Sequence, residues 1–107
     1  MANTLKFNIK YDSMFEEHLS FVDSKYHSLI RSKIVEQLQF EPNVETKNRK
    51  LLRPQTVLAA KWEIRFGPAN RFRVFYSFDE AIREVYVSAF GEKERERLYI
   101  GGEEIIL

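Results

Sequence analysis

Residues 61–90 read KWEIRFGPANRFRVFYSFDEAIREVYVSAF, and this stretch decides the fold. Trp62, Ile64 and Phe66 alternate with Lys61, Glu63 and Arg65. Phe72, Val74, Tyr76 and Phe78 then alternate with Arg71, Arg73, Phe75 and Ser77. A period of two marks a strand with one buried face. Gly67-Pro68-Ala69-Asn70 and Asp79-Glu80 supply turns. Residues 84–90 give a further strand, with Val85, Val87 and Ala89 expected on one face. Strands this close in sequence predict an antiparallel sheet. The same alternation expects Lys61 with Arg65, and Arg71 with Arg73, on the surface opposite the apolar set.

Before this stretch, Leu5, Phe7, Ile9 and Tyr11 alternate with Lys6, Asn8 and Lys10, which predicts an N-terminal strand. Asp12-Ser13 follows, and Ser13 with Glu16 fits a capping box. Apolar residues recur at spacings of three and four from Met14 to Leu38, and Asp23-Ser24 interrupts them as a second cap. Two helices are therefore expected, at 13–21 and 24–40. Pro42 stops the second, because a residue before proline is pushed out of the helical region. Residues 41–56 read as a loop carrying Lys47, Arg49, Lys50 and Arg53. Beyond the sheet, Gly91 is expected to end it, residues 92–97 to form a solvated charged run, and Gly101-Gly102 to precede an apolar tail. The order β–α–α–β–β–β predicts an α+β fold, with a two-helix hairpin packed on a mostly antiparallel sheet. Residues 1–107 read as a single domain, without repeat or linker.

The chain has no cysteine, which excludes disulfides, zinc–thiolate sites and thiol chemistry. His18 and His27 stand alone without a ligand cluster, so neither a metal nor a cofactor is expected, and both read as boundary residues. The opening MANTLKFNIK has no long apolar run, and no stretch approaches a membrane span. The cytoplasm is the expected compartment. The net charge of +1 hides a polarised chain. From Lys47 to Arg73 eight cations face a single acid, Glu63, a balance of +7, whereas residues 1–46 carry −2 and residues 74–107 carry −4. A basic block on a loop and hairpin suits a polyanion, and equally a solvated face neutralised by acids folded nearby.

Three runs carry a resemblance: WEIRF at 62–66, RFRVFY at 71–76, and VYVSAFGEKERERLY at 85–99. Taken together after a helix pair, they resemble the RelE/ParE superfamily of bacterial toxins. The resemblance implies a RelE-like fold and a toxin held silent by a cognate antitoxin. RelE-type members cleave mRNA in the ribosomal A site without a metal, as endoribonucleases (mRNA interferases) that inhibit translation. ParE-type members inhibit DNA gyrase, and a degenerate member would bind its antitoxin without toxicity. By resemblance, Arg65 matches a catalytic arginine, Tyr99 the tail tyrosine, and Lys47, Arg49 and Lys50 the catalytic-loop lysines. Lys93 falls where RelE-type toxins carry an arginine, with Arg95 as the alternative. The tail departs from the pattern: Glu92, Glu94 and Glu96 interleave its cations, and it lacks the C-terminal histidine of some relatives.

Metal-free RNA cleavage needs a base for the ribose 2′-hydroxyl, cations for the crowded phosphate and an acid for the leaving 5′-oxygen. Arg65 and Arg73 suit the second task, since a guanidinium forks two donors onto phosphate oxygens and stays charged. Tyr99 or a loop lysine such as Lys50 is expected as the base, with Lys93 or Arg95 on the leaving-group side. Free tyrosine and lysine titrate near pH ~10, so either needs neighbouring cations to act at neutrality. Lys47, Arg49, Arg53, Lys61 and Arg73 are expected as phosphate contacts that fix position without reading sequence. Arg73 reads equally as a structural strand arginine, and Tyr99 as a ring that docks the tail.

Overall fold

The computed structural model describes residues 5–52 and 60–106, and these form an α+β domain with two helices on a mostly antiparallel sheet. In chain order the elements are β1 (Asn8–Tyr11), α1 (Phe15–Ser20), α2 (His27–Leu38), β2 (Arg49–Leu51), β3 (Trp62–Phe66), β4 (Phe72–Asp79), β5 (Glu84–Glu94), β6 (Arg97–Ile100) and β7 (Glu103–Ile105). Short 3₁₀ turns at Ser24–Tyr26 and Pro68–Asn70 complete it.

The strands run β2-β3-β4-β5-β6-β7, and β5 organises the whole. One edge of β5 pairs with β4 along its length. The other edge is divided: residues 84–87 take β1 in parallel, and residues 91–94 take β6 antiparallel. The helices cover one face. Ile30, Ile34 and Leu38, four apart on α2, and Phe15 and Leu19 of α1 all exclude solvent. They join one core with Ile64, Phe72, Val74, Tyr76, Val85, Val87 and Phe90 of the sheet. The alternation read in β3 and β4 is therefore what the core uses.

Several expectations change. The helices are shorter than 13–21 and 24–40. Ser13 does not cap α1, whose N-cap position is Met14 without a side-chain cap bond; Asp12 Oδ1 instead accepts from the Met14 N–H at 2.9 Å in the turn before the helix. Asp23 caps the 3₁₀ turn that leads into α2, accepting from the Lys25 N–H. The expected loop at 41–56 contains a strand, β2, on the edge beside β3. Ala89 does not share a face with Val85 and Val87. A bulge shifts the β4–β5 register between Phe75 and Tyr76, leaving Ser88 as the extra residue. Ala89 instead packs with Ala60, Phe75, Leu98 and Ile100 in a small second cluster on the open side.

Gly91 does not end the sheet. It lies within β5, where a Cβ would stand 2.8 Å from the Tyr99 carbonyl oxygen and 2.9 Å from Ile100 Cγ1. The glycine is there because β6 passes that close. The charged run is likewise not free. Glu92, Lys93 and Glu94 belong to β5, Arg95 turns the hairpin with φ 56°, and Arg97 opens β6. The residues after Gly101-Gly102 add β7.

Candidate nucleic-acid interface

Paired residues, and residues two apart, share a face of a sheet. The register pairs Lys50 with Glu63, Arg65 with Arg73, Arg73 with Gly91, and Lys93 with Leu98. Lys50, Glu63, Arg65, Arg73 and Lys93 thus stand together on the face opposite the helices. Arg65, Arg73, Lys93 and Arg97 line a hollow of about 400 Å³ together with Glu63, Glu96 and Glu104, and Leu52, Phe75, Leu98, Ile105 and Ile106 form its apolar part. Lys50 lies one strand outward. Neither lysine makes an ion pair among the described residues.

Glu63 knits the two arginines. Its side chain is 7% exposed, and Oε1 accepts from Arg65 Nε at 2.6 Å while lying 3.6 Å from Arg73 Nε. Like charges directly opposite across strands repel, and a carboxylate between them offsets this. Arg73 is largely spent, because its Nη1 also donates to the Asn70 and Phe72 carbonyls and its side chain is 10% exposed. Burial lowers its pKa, with the Glu63 carboxylate opposing that shift. Arg73 is therefore chiefly structural, the alternative the sequence left open. Arg65 is the projecting guanidinium, 41% exposed.

The remaining expected residues divide. Lys47 is exposed beside β2, and Lys61 is exposed ahead of β3. Arg53 lies outside the described residues. Arg95, in the β5–β6 turn, borders a second depression whose charged lining is Arg71, Arg73, Lys93, Glu92 and Glu94. Arg71 does not share the Arg73 face as expected. It precedes β4, pairs with Glu92 at 3.1 Å, and sits over the Tyr26 ring on the helix side.

Arg49 is a correction. It is paired with Ile64 and so faces the helices, not the open side. It is buried, donating through Nε to the Val44 carbonyl at 2.8 Å and through Nη1 to Gln37 O at 2.9 Å and Gln37 Oε1 at 3.0 Å. Its charge satisfies carbonyls left unpaired at the end of α2, where a cation also suits the helix dipole. Its Nε and Nη1 are engaged by protein oxygens, and the side chain stands on the face away from the hollow.

Tyr99 is the second correction. It pairs with Glu92, whose side of β5 faces the helices, and not with the Arg65–Lys93 surface. It lines a different cleft of about 350 Å³ with His18, Phe21, Phe90, Glu92, Glu94 and Gly101. The expected meeting of Tyr99 with Arg65, Arg73 and Lys50 does not occur, because alternate residues of a strand point to opposite sides. His18 in that cleft is the residue sequence reasoning passed over. The Phe90 N–H approaches its Nδ1 at 3.3 Å, and burial lowers its pKa, so the neutral ring carries its proton on Nε2. Apart from Phe21 and Val22, its cleft partners lie more than seventy residues away, so no local signal marks it. His27 Nε2 sits 2.9 Å from the Val22 carbonyl and serves structure.

Among the described residues no cluster of histidine and carboxylate side chains could hold a metal ion, and no helix is long and apolar enough to cross a membrane. The open face carries the projecting Arg65 guanidinium and the ammonium groups of Lys50 and Lys93 beside the engaged Glu63, and its hollow is lined as well by Arg97, Glu96 and Glu104. No protein-family model matches the chain, and neither does any curated protein or solved structure.

Proposed function

We propose that this chain is a RelE/ParE-like toxin of a toxin–antitoxin pair, and that it acts on ribosome-associated mRNA as an endoribonuclease. The observation that carries this is the gathering of Lys50, Arg65 and Lys93 on one sheet face, backed by the Glu63–Arg73 pair. A phosphodiester set in the hollow would meet the Arg65 guanidinium fork and the Lys93 ammonium. The stabilising charge comes from these side chains.

With Tyr99 on the far side, proton transfer falls to the lysines. One lysine, required here as the free amine rather than as ammonium, would take the proton of the ribose 2′-hydroxyl as its oxygen attacks phosphorus. The bond to the 5′-oxygen breaks, and the second lysine, as ammonium, gives that oxygen its proton. The products are a 2′,3′-cyclic phosphate and a free 5′-hydroxyl. Arg65 stabilises the negative charge that builds on the equatorial oxygens. Silencing would come from a partner antitoxin segment, acidic where it lies across this face.

A second reading is favoured by one observation: Glu63 engages both arginines, and no tyrosine or histidine faces the hollow among the described residues. A ParE-like toxin needs no proton transfer, and its basic face would dock a protein such as gyrase. Expression of the chain in bacteria, with and without its antitoxin, separates the two. Growth arrest with new message ends, both lost in Arg65→Ala and Lys93→Ala, supports the nuclease. Arrest with intact messages supports the protein-binding toxin, and no arrest at all overturns both.

A further inference from the structure

We propose that Glu63 is a positioning residue for this face: its buried carboxylate fixes Arg65 by Nε so that the Nη edge stands ready for a phosphate. The inference rests on the reading of the open face as an RNA contact. A buried acid between two arginines on a face that would receive a polyanion is costly in two respects. Its charge is taken out of water, and it repels the polyanion the hollow would bind. The geometry supplies a reason for keeping it.

Arg65 and Arg73 are directly opposite on β3 and β4, so without an anion between them their guanidinium groups would repel. Arg73 is fixed from behind by the Asn70 and Phe72 carbonyls. Glu63 Oε1, 2.6 Å from Arg65 Nε and 3.6 Å from Arg73 Nε, is the joint between that fixed group and the exposed one. An arginine held through Nε keeps both Nη groups free, which is the edge that bridges two phosphate oxygens. A free arginine must lose rotamer freedom on binding, and one already held loses less.

This assignment makes a sign prediction. If Glu63 only subtracts charge, Glu63→Gln raises net charge by one and tightens RNA binding. If it positions Arg65, the same variant weakens binding although the protein has become more positive. Glu63→Asp is the sharper case, because the charge stays and the reach shortens by a methylene.

The test measures fluorescence anisotropy of a short labelled single-stranded RNA with the full chain, its Glu63→Gln and Glu63→Asp variants, and Arg65→Ala. Both Glu63 variants are expected to lose affinity, by about tenfold, the scale of one charge-assisted hydrogen bond. The Arg65 Nε–H signal in a proton–nitrogen NMR spectrum should be protected in the native chain and lost in Glu63→Asp, with the amide spectrum retained. Glu63→Gln binding as well as or better than the native chain overturns the positioning role. Arg65→Ala binding unchanged instead overturns the face itself, so the two failures are distinct. Should the Glu63 variants not fold, exposed Arg65→Lys carries the test. It keeps the charge without the Nε bridge, so native affinity in that variant also overturns the assignment.

Discussion

Arg49→Ala separates structural from functional charge within one short segment. The guanidinium donates three hydrogen bonds, to Val44 O, Gln37 O and Gln37 Oε1. Each hydrogen bond from a charged group is worth ~1.5–3 kcal/mol net, and burying the guanidinium takes back part of the sum. Truncation also leaves the Gln37 and Val44 carbonyls without this donor where α2 meets β2. A loss of about 3 kcal/mol follows, within the range for breaking buried charged contacts. For a domain of this size that lowers Tm by roughly 12 °C. Arg49→Lys offers a point charge in place of a fork and should lose about half as much. Because the side chain faces the helices, RNA affinity of the folded variant should stay native. Thermal melts by circular dichroism and RNA anisotropy well below the melt read the two quantities separately. The exposed neighbour Lys47→Ala should behave in the opposite way: an unchanged Tm and a shallower salt dependence of RNA binding. If Arg49→Ala leaves Tm within about 2 °C of native and RNA binding falls, the side chain contacts RNA and its structural assignment is wrong.

Other consequences follow from the same geometry. Lys50→Ala and Lys93→Ala should each reduce the slope of log K against log salt for single-stranded RNA by about 0.7, with little change in Tm. Tyr99→Phe should leave RNA affinity within about twofold of native, since its hydroxyl is on the helix side; a tenfold loss would put the binding surface on the wrong side of the sheet. Gly91→Ala must push β6 away from β5 and should cost ~1–3 kcal/mol by urea denaturation, a native midpoint refuting the close approach. The buried Tyr76 hydroxyl donates to the Pro42 carbonyl at 2.7 Å, and burial raises its pKa. The neutral form is the one the fold favours. Its contribution is therefore complete below the ordinary tyrosine value of ~10 and is lost as pH rises through the higher folded value. Tyr76→Phe should flatten the decline in stability measured above that pH, and an unchanged decline would show that the ring is not buried as a phenol.

What the sequence made legible was what a single period could carry. The alternation in β3 and β4 separates Ile64, Val74 and Tyr76 from Glu63, Arg65 and Arg73, and those two sets lie on opposite faces. What it hid was every feature that depends on a partner strand. Three residues, Arg49–Leu51, are too few to show a period, so nothing in that segment tells which cation faces in; only pairing with β3 sends Arg49 to the helices and Lys50 to the open side. Ser88 looks like any strand residue until the register with Phe75 and Tyr76 makes it the extra one. Tyr99 depends on a register against Glu92 that a charged, hydrophilic stretch does not announce.

The same parity explains why net charge overstates the polyanion site. Of the eight cations between Lys47 and Arg73, the fold sends Arg49 and Arg71 to the helix side, one to carbonyls and one to Glu92. Arg73 is taken up by Glu63 and the Asn70 and Phe72 carbonyls. Lys47 and Lys61 are exposed outside the hollow, Arg53 lies outside the described residues, and Lys50 and Arg65 stand on the open face, where Lys93, from a segment whose net charge is negative, joins them. A phosphate responds to the cations within reach of one point rather than to the sum along the chain, and screening over about 10 Å at ordinary salt enforces that. The block of +7 is thus a poor measure of affinity, whereas Arg65 and Lys93 line one hollow and Lys50 stands on the same face one strand outward. It follows that moving a lysine within the block while preserving its total, as in the exchange Lys50→Leu with Leu51→Lys, should weaken RNA binding as much as Lys50→Ala does, because the new cation points to the other face.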